Sequence, residues 1–128
     1  MPKYVLGHHL KGEGARLQLM SDLLDPMHRR YLDALGILRP GARTLEIGCG
    51  NASVSAWLAK RVSPGGTAVA VDLDLPLIQV RMQNLELRRA HILAGPIDRG
   101  TFDLVTARAV LHHIANPEKA IANMICKL

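Results

Sequence analysis

Apolar residues recur at helical spacing near the start of the chain. Between residues 14 and 25 they fall roughly every three or four positions, a pattern that predicts a helix. Asp25-Pro26 is expected to end this helix, because the residue before a proline is biased away from helical conformation. A second helix is predicted over residues 27–36, with Gly36 as its C-terminal stop.

Beyond residue 41, short apolar runs alternate with stretches that have one apolar face. Strands are predicted at residues 42–48, 67–73, 89–94 and 102–107. Helices are predicted at residues 52–62, 75–83 and 117–127, the last with Asn116 as its N-cap. This alternation indicates an α/β fold, a doubly wound parallel sheet with helices on both faces. We expect one domain, with an N-terminal helical segment at 1–40 and the core at 41–128.

The composition fits one globular domain, since 48% of the 128 residues are hydrophobic. The formal charge of +5 could attract nucleic acid, but the basic residues are scattered, so a nucleic-acid partner is not expected. Two cysteines without metal-ligand spacing indicate neither a disulfide framework nor a metal site. No stretch reads as a membrane span or a signal peptide, so we expect no membrane partner and a cytoplasmic location.

A glycine-rich turn follows the first predicted strand. Gly48 and Gly50 allow the backbone to turn tightly and to approach a ligand closely. The next helix would point its free N–H groups and positive dipole at that ligand. Glu46, at the end of the strand, could accept a hydrogen bond from an ammonium group. A ligand that carries both a carboxylate and an ammonium group is an amino acid.

A second acid follows the second predicted strand. Asp72 stands 24 residues beyond Gly48 and can accept hydrogen bonds from ribose hydroxyls. An amino-acid end and a ribose describe S-adenosylmethionine better than a dinucleotide. The dinucleotide fingerprint G-x-G-x-x-G is also matched imperfectly, because Ser53 takes its third glycine position. An NAD-binding domain is therefore disfavoured.

Several segments resemble the motifs of class I S-adenosylmethionine-dependent methyltransferases. Residues 46–50 (Glu-Ile-Gly-Cys-Gly) are similar to the family's glycine-rich motif, and residues 71–74 (Val-Asp-Leu-Asp) to its acidic loop. Residues 102–114 are similar to the fourth strand and following loop of bacterial small-molecule methyltransferases. Residues 84–89 and 4–7 are similar to one branch of them. The resemblance implies a Rossmann-like sheet with strand order 3-2-1-4.

The resemblance also implies which residues hold the cofactor, S-adenosylmethionine. Glu46 would meet its amino group, and the Gly48–Gly50 backbone would pass along its methionine part. Asp72 would hold the ribose and Leu73 would flank the adenine. His91 stands where the family often has an acid near the adenine. The full expected set is Glu46, Gly48, Cys49, Gly50, Asp72, Leu73, His91 and Ala107.

Three residues after the fourth predicted strand are candidates on the acceptor side. His112 or His113 could act as a general base, because histidine titrates near neutral pH. A role in packing or hydrogen bonding at the start of a helix is the favoured alternative. Arg108 could hold an acidic substrate or pair with a nearby acid, and the sequence does not separate these two roles.

The chain ends at Leu128, where the family continues into further strands. The later strands are therefore expected to be missing, which would leave the fourth strand as an open edge that a homodimer could cover. We predict an enzyme that transfers a methyl group from S-adenosylmethionine to a small-molecule acceptor. The alternatives are a non-catalytic or truncated S-adenosylmethionine-binding module and an RNA methyltransferase.

Overall fold

The computed structural model describes residues 12–75, 78–93, 97 and 100–128. It contains three α-helices, four strands and one 3-10 turn in these residues. In chain order they are α1 (Glu13–Ala34), β1 (Arg43–Ile47), α2 (Ser53–Arg61), β2 (Thr67–Asp72), β3 (Leu85–Arg89), β4 (Leu104–Ala107), the 3-10 turn (Leu111–His113) and α3 (Pro117–Ile125).

The four strands form one parallel sheet in the order β3-β2-β1-β4. This order confirms the expected Rossmann-like α/β arrangement. Side chains alternate between the two faces of each strand, so the sheet packs against two separate cores. On one face, Ala68 and Ala70 pack with Val54 and Leu58 of α2. On the other, Leu45, Val69 and Val71 pack with Phe102 and Ile114.

The N-terminal helical region is a single helix, and the two helices predicted around Pro26 are wrong. Pro26 lies inside α1, where it lacks one backbone donor but has a φ that suits a helix. Five residues of α1 are buried along one stripe that continues past the proline: Glu13, Leu17, Ser21, Asp25 and Leu32. Burial of this stripe on both sides of Pro26 keeps the helix continuous. It ends at Ala34, and Gly36 follows with a φ of +70°, as the predicted stop requires.

The third strand also differs from the prediction. It lies at Leu85–Arg89 instead of residues 89–94, and residues 78–83 contain no helix. Leu85 and Leu87 both pack on the α2 side of the sheet, as alternate residues of a strand do. The more continuous apolar run after Arg89 is loop, and Ile92 of that loop is buried in the second core. Part of each wrong segment, residues 76–77 and 94, lies outside the described residues.

The other elements confirm the prediction to within a few residues at their ends. The N-cap of α3 is Asn116, whose Oδ1 accepts a hydrogen bond from the Lys119 amide at 3.1 Å. No described helix is long and apolar enough to span a membrane. Residues 1–11, which include the motif at 4–7, lie outside the described residues. The division at residue 40 and a homodimer at the β4 edge stay predictions.

Gly66 provides a test of the packing between α2 and β2. A Cβ at this buried position would collide with the carbonyl oxygens of Ala42 and Val62. Gly66→Ala is therefore expected to lower the free energy of unfolding by about 1–3 kcal/mol. Gly14→Ala is the matched control, because Gly14 is exposed within α1 and alanine there should stabilise the helix by up to about 1 kcal/mol. Urea unfolding of both variants measures the difference, and equal effects would contradict this packing.

Candidate functional site

An open cavity lies at the carboxyl ends of the strands. Its walls come from α1, the turn between β1 and α2, the end of β2, the loop after β3 and the loop after β4. The strand order reverses between β1 and β4, and such a switch point is where open α/β sheets bind ligands.

Most of the residues predicted from the sequence meet in this cavity. Those that line it are Glu46, Gly48, Cys49, Gly50, Asp72, Leu73, His91, Arg108 and His113. Ala107 and His112 do not line it. Ala107 packs against the core on the Phe102 side of the sheet. His112 is exposed, with its ring 3.8 Å from the ring of His113. The cofactor role of the lining residues stays a proposal.

The turn between β1 and α2 explains the need for glycine. Gly48 has a φ of +67° and Gly50 a φ of +59°, in the left-handed region that favours glycine. A Cβ on Gly48 would also collide with the side chain of Val110. The turn is therefore pressed against the loop that follows β4.

The backbone amides of this turn mostly have acceptors within the chain. The Cys49 amide donates to the Val71 carbonyl at 3.0 Å, and the Ala52 amide donates to the Cys49 carbonyl at 2.8 Å. At the first position of α2, the Ser53 amide donates to Asn51 Oδ1 at 3.2 Å. The expectation that the N–H groups at this helix start are free for a ligand is therefore wrong at Ser53.

Asp72 joins the end of β2 to the glycine turn. Its Oδ2 accepts a hydrogen bond from the Gly50 amide at 2.9 Å, and its Oδ1 accepts one from the Asp74 amide at 3.2 Å. Each carboxylate oxygen offers more than one lone pair. Asp72 can therefore brace the turn and still accept hydrogen bonds from ligand hydroxyls.

Glu46 is an enclosed carboxyl group. It is 5% exposed, and its Oε1 accepts a hydrogen bond from Ser55 Oγ at 2.6 Å. Burial raises the pKa of Glu46 to about 7, although the Ser55 hydrogen bond and the charge of Arg108 oppose this rise. Burial also raises the pKa of the neighbouring Cys49 thiol, which the charges of Glu46 and Asp72 raise further. Cys49 is thus a protonated thiol in the cavity wall.

A network that sequence reasoning missed surrounds Arg108. Arg108 Nη2 lies 2.8 Å from Asp25 Oδ1 in an ion pair, and Arg108 Nη1 lies 3.3 Å from His28 Nδ1. Because arginine only donates, His28 Nδ1 must accept, which leaves its Nε2–H to donate to Thr106 Oγ1 at 3.0 Å. Burial and the charge of Arg108 lower the pKa of His28, which favours this neutral ring. Arg108 therefore does pair with a nearby acid.

A second missed cluster ties α1 to the start of α2. Ser21 Oγ lies 3.2 Å from Asn51 Oδ1 and 3.0 Å from Ser53 Oγ. All three residues line the cavity, as do Leu17 and Met20 of α1. In the sequence, both clusters are indicated only by the polar residues within the buried stripe of α1. Their partners lie far away along the chain, so the sequence does not identify them.

Two histidines complete the wall. His91 Nδ1 accepts a hydrogen bond from the Leu93 amide at 3.0 Å, and partial burial lowers the pKa of His91. Burial and the charges of His112 and Arg16 lower the pKa of His113. Among the described residues, no three His, Cys, Asp or Glu side chains stand close enough to hold a metal ion.

Residues 45–125 match a family model described as a methyltransferase domain. The chain is 38% identical over 92 residues to a ribosomal protein L11 methyltransferase of Ralstonia nicotianae, covering 70% of this chain and 29% of that protein. It is 33% identical over 90 residues to a nocamycin O-methyltransferase of Saccharothrix syringae, covering 64% of this chain and 32% of that protein. The chain thus spans less than a third of the length of these two relatives.

A solved structure shows the same fold. A SAM-dependent methyltransferase from Aquifex aeolicus superposes with a TM-score of 0.69 at 19% identity, covering 87% of this chain and 64% of that chain. At this identity the likeness shows the fold and no more.

The buried Glu46 carboxyl predicts an unusual dependence of stability on pH. Because its pKa is raised from 4.5 to about 7 in the folded state, the folded protein binds this proton more tightly than the unfolded chain does. The stability of the wild type should therefore fall as pH rises through this window, by on the order of 3 kcal/mol relative to Glu46→Gln. Urea unfolding from about pH 4 to about pH 8 measures both curves.

The control for this experiment is Glu86→Gln. Glu86 is a carboxylate on β3 whose side chain is 48% exposed and paired with Arg88, so its replacement should not reproduce the trend. Parallel curves for the wild type and Glu46→Gln would show that Glu46 does not titrate as a buried acid.

Proposed function

The chain belongs to the methyltransferase-domain family that its residues 45–125 match, and on that basis we propose that it transfers a methyl group from S-adenosylmethionine to a small-molecule acceptor. The observation that carries this proposal is the pairing of two acids at the ends of neighbouring strands. Glu46 and Asp72 line one cavity, on either side of the turn that contains Gly48 and Gly50.

The chemistry of the methionine end fits Glu46. Among the described residues Glu46 has no ion-pair partner, and the charge of Arg108 only partly opposes the rise of its pKa. The ammonium group of an amino acid would supply that partner, and binding would then favour the ionised carboxylate. The need for a cation at this position supports S-adenosylmethionine over a phosphate-rich dinucleotide.

The other end of the cavity fits a nucleoside. Asp72 would accept hydrogen bonds from ribose hydroxyls, and Leu73, Ala90 and Ile92 supply apolar surface for a base. Because His91 Nδ1 already accepts from the Leu93 amide, a neutral His91 ring carries its proton on Nε2 and offers a donor. This donor would be directed at a ring nitrogen of adenine. An acid at the same position would instead accept a hydrogen bond from the amino group of adenine.

The chain's own residues would position the acceptor and exclude water. The bound cofactor supplies a methyl group that its sulfonium already activates, so catalysis needs mainly alignment. Leu17 and Met20 of α1 cover the cavity and limit the access of water. His113 has a lowered pKa, so at neutral pH its ring is uncharged and can take a proton from an acceptor hydroxyl or amine.

A protein acceptor is the competing candidate, and the similarity to a ribosomal protein L11 methyltransferase favours it. Ultrafiltration divides a cell extract into a protein fraction and a small-molecule fraction. Incubation of the extract with this protein and with S-adenosylmethionine labelled in the methyl group, before that separation, distinguishes the two kinds of acceptor. We expect the label in the small-molecule fraction. Label that stays with protein above the filter would overturn the small-molecule part of the proposal and leave the methyl transfer intact.

Cofactor binding is tested most directly by calorimetric titration with S-adenosylmethionine and, separately, with NAD. We expect S-adenosylmethionine alone to bind. Asp72→Ala should weaken binding by about 100-fold or more, because hydrogen bonds from both ribose hydroxyls to a carboxylate are lost.

Asp74→Ala is the matched control, since Asp74 is an acid two residues away that does not line the cavity. Its affinity should stay within about threefold of the wild type. Binding of NAD in place of S-adenosylmethionine, or equal losses in the two variants, would contradict the proposed site.

A further inference from the structure

Arg108 is the only arginine or lysine among the described residues that line the cavity. It follows the end of β4, while Glu46 lies near the end of the neighbouring strand β1, paired in register with Thr106. The charge of Arg108 acts on Glu46 strongly enough to oppose the rise of its pKa. An acid and a base thus stand near each other at the same end of the cavity.

These two side chains do not neutralise each other. Among the described residues, Glu46 accepts from Ser55 and Arg108 pairs with Asp25, and no ion pair joins Glu46 to Arg108. An acid and a base that are near each other but not joined in an ion pair leave room for a ligand that carries both charges. The ammonium and carboxylate of one amino acid provide such a pair of charges on two groups bonded to the same carbon atom.

The glycine turn offers little to a ligand carboxylate. The amides of Cys49, Gly50, Ala52 and Ser53 each donate to an acceptor within the chain. These four amides are thus engaged within the chain, and Arg108 is the cationic side chain that the described cavity wall presents to a carboxylate.

The guanidinium of Arg108 is held in place but still has N–H donors for a ligand. Asp25 and His28 of α1 contact its two terminal nitrogens, and a guanidinium has five N–H donors. Asp25 is shared with a second arginine, because Arg29 Nη2 lies 3.7 Å from Asp25 Oδ2. One acid shared by two arginines does not neutralise both of them.

We propose that Arg108 binds the carboxylate of the cofactor's methionine half while Glu46 binds its ammonium, and that Asp25 and His28 are positioning residues that orient the Arg108 guanidinium. This inference rests on the proposed function, because it takes S-adenosylmethionine as the ligand. It assigns Arg108 to the cofactor, whereas the sequence alone suggested an acidic substrate or a structural ion pair. The α1 helix then has a second role, since it fixes the orientation of a cofactor contact.

The test compares S-adenosylmethionine with decarboxylated S-adenosylmethionine, which lacks only the carboxylate. Calorimetry of the wild type should show a preference for the carboxylated ligand of about 10- to 100-fold, the usual contribution of a charged hydrogen bond. In Arg108→Gln this preference should disappear, while the affinity for the decarboxylated ligand stays close to that of the wild type. That second affinity also shows that the variant is folded.

Arg29→Gln is the matched control. Arg29 is the other arginine near Asp25, its side chain is 41% exposed, and it does not line the cavity. This variant should keep the wild-type preference. A preference that survives in Arg108→Gln, or that is lost equally in Arg29→Gln, would overturn the assignment and point to an acidic acceptor as the partner of Arg108.

Two further outcomes are distinguishable. If the wild type binds neither ligand, the proposed function fails and this inference fails with it. If Arg108→Gln alone binds neither, Arg108→Lys decides, because lysine keeps the charge but lacks the forked donors. A preference smaller than that of the wild type then supports the assignment, and an unchanged preference overturns it.

Discussion

The turn between β1 and α2 is held from both sides, and the site depends on this double restraint. From the β2 side, the Asp72 carboxylate accepts the Gly50 amide. From the β4 side, Val110 packs where a side chain on Gly48 would stand. The carboxyl ends of β1, β2 and β4 therefore meet at this turn. The parallel pairing of β1 with β2 and β4 brings that contact about, because it aligns the three strand ends at one edge of the sheet.

The same arrangement buries two ionisable side chains beside the cavity. Glu46 is nearly inaccessible and has a raised pKa, and Asp25 is buried in the ion pair with Arg108. Buried ionisable groups of this kind usually cost stability, and they are concentrated where proteins bind ligands. A zwitterionic ligand between Glu46 and Arg108 would offset that cost, so cofactor binding and stability should be coupled in this protein.

The α1 helix joins the two halves of the site. Its buried stripe places Leu17 and Ser21 against the glycine turn and Asp25 against the residue that follows β4. This requires one continuous helix, because a break at Pro26 would separate Ser21 and Asp25 from His28. The helix thus contributes to the apolar wall of the cavity and contacts Arg108 through Asp25 and His28.

The family resemblance implied the order of the strands in the sheet. The sequence by itself determined the alternation of strands and helices, the glycine turn and the two acids, Glu46 and Asp72. These signals are local: an apolar run marks a buried strand, and the residues just after it stand at the ligand-binding edge. Local signals failed at β3, where the alternating Leu85 and Leu87 were less conspicuous than the apolar run after Arg89. They failed again at α1, where burial beyond Pro26 outweighed the tendency of proline to end a helix. The partners of Arg108 were decided only by the tertiary structure, because Asp25 and His28 lie about eighty residues away and meet it only when α1 packs across the strand ends.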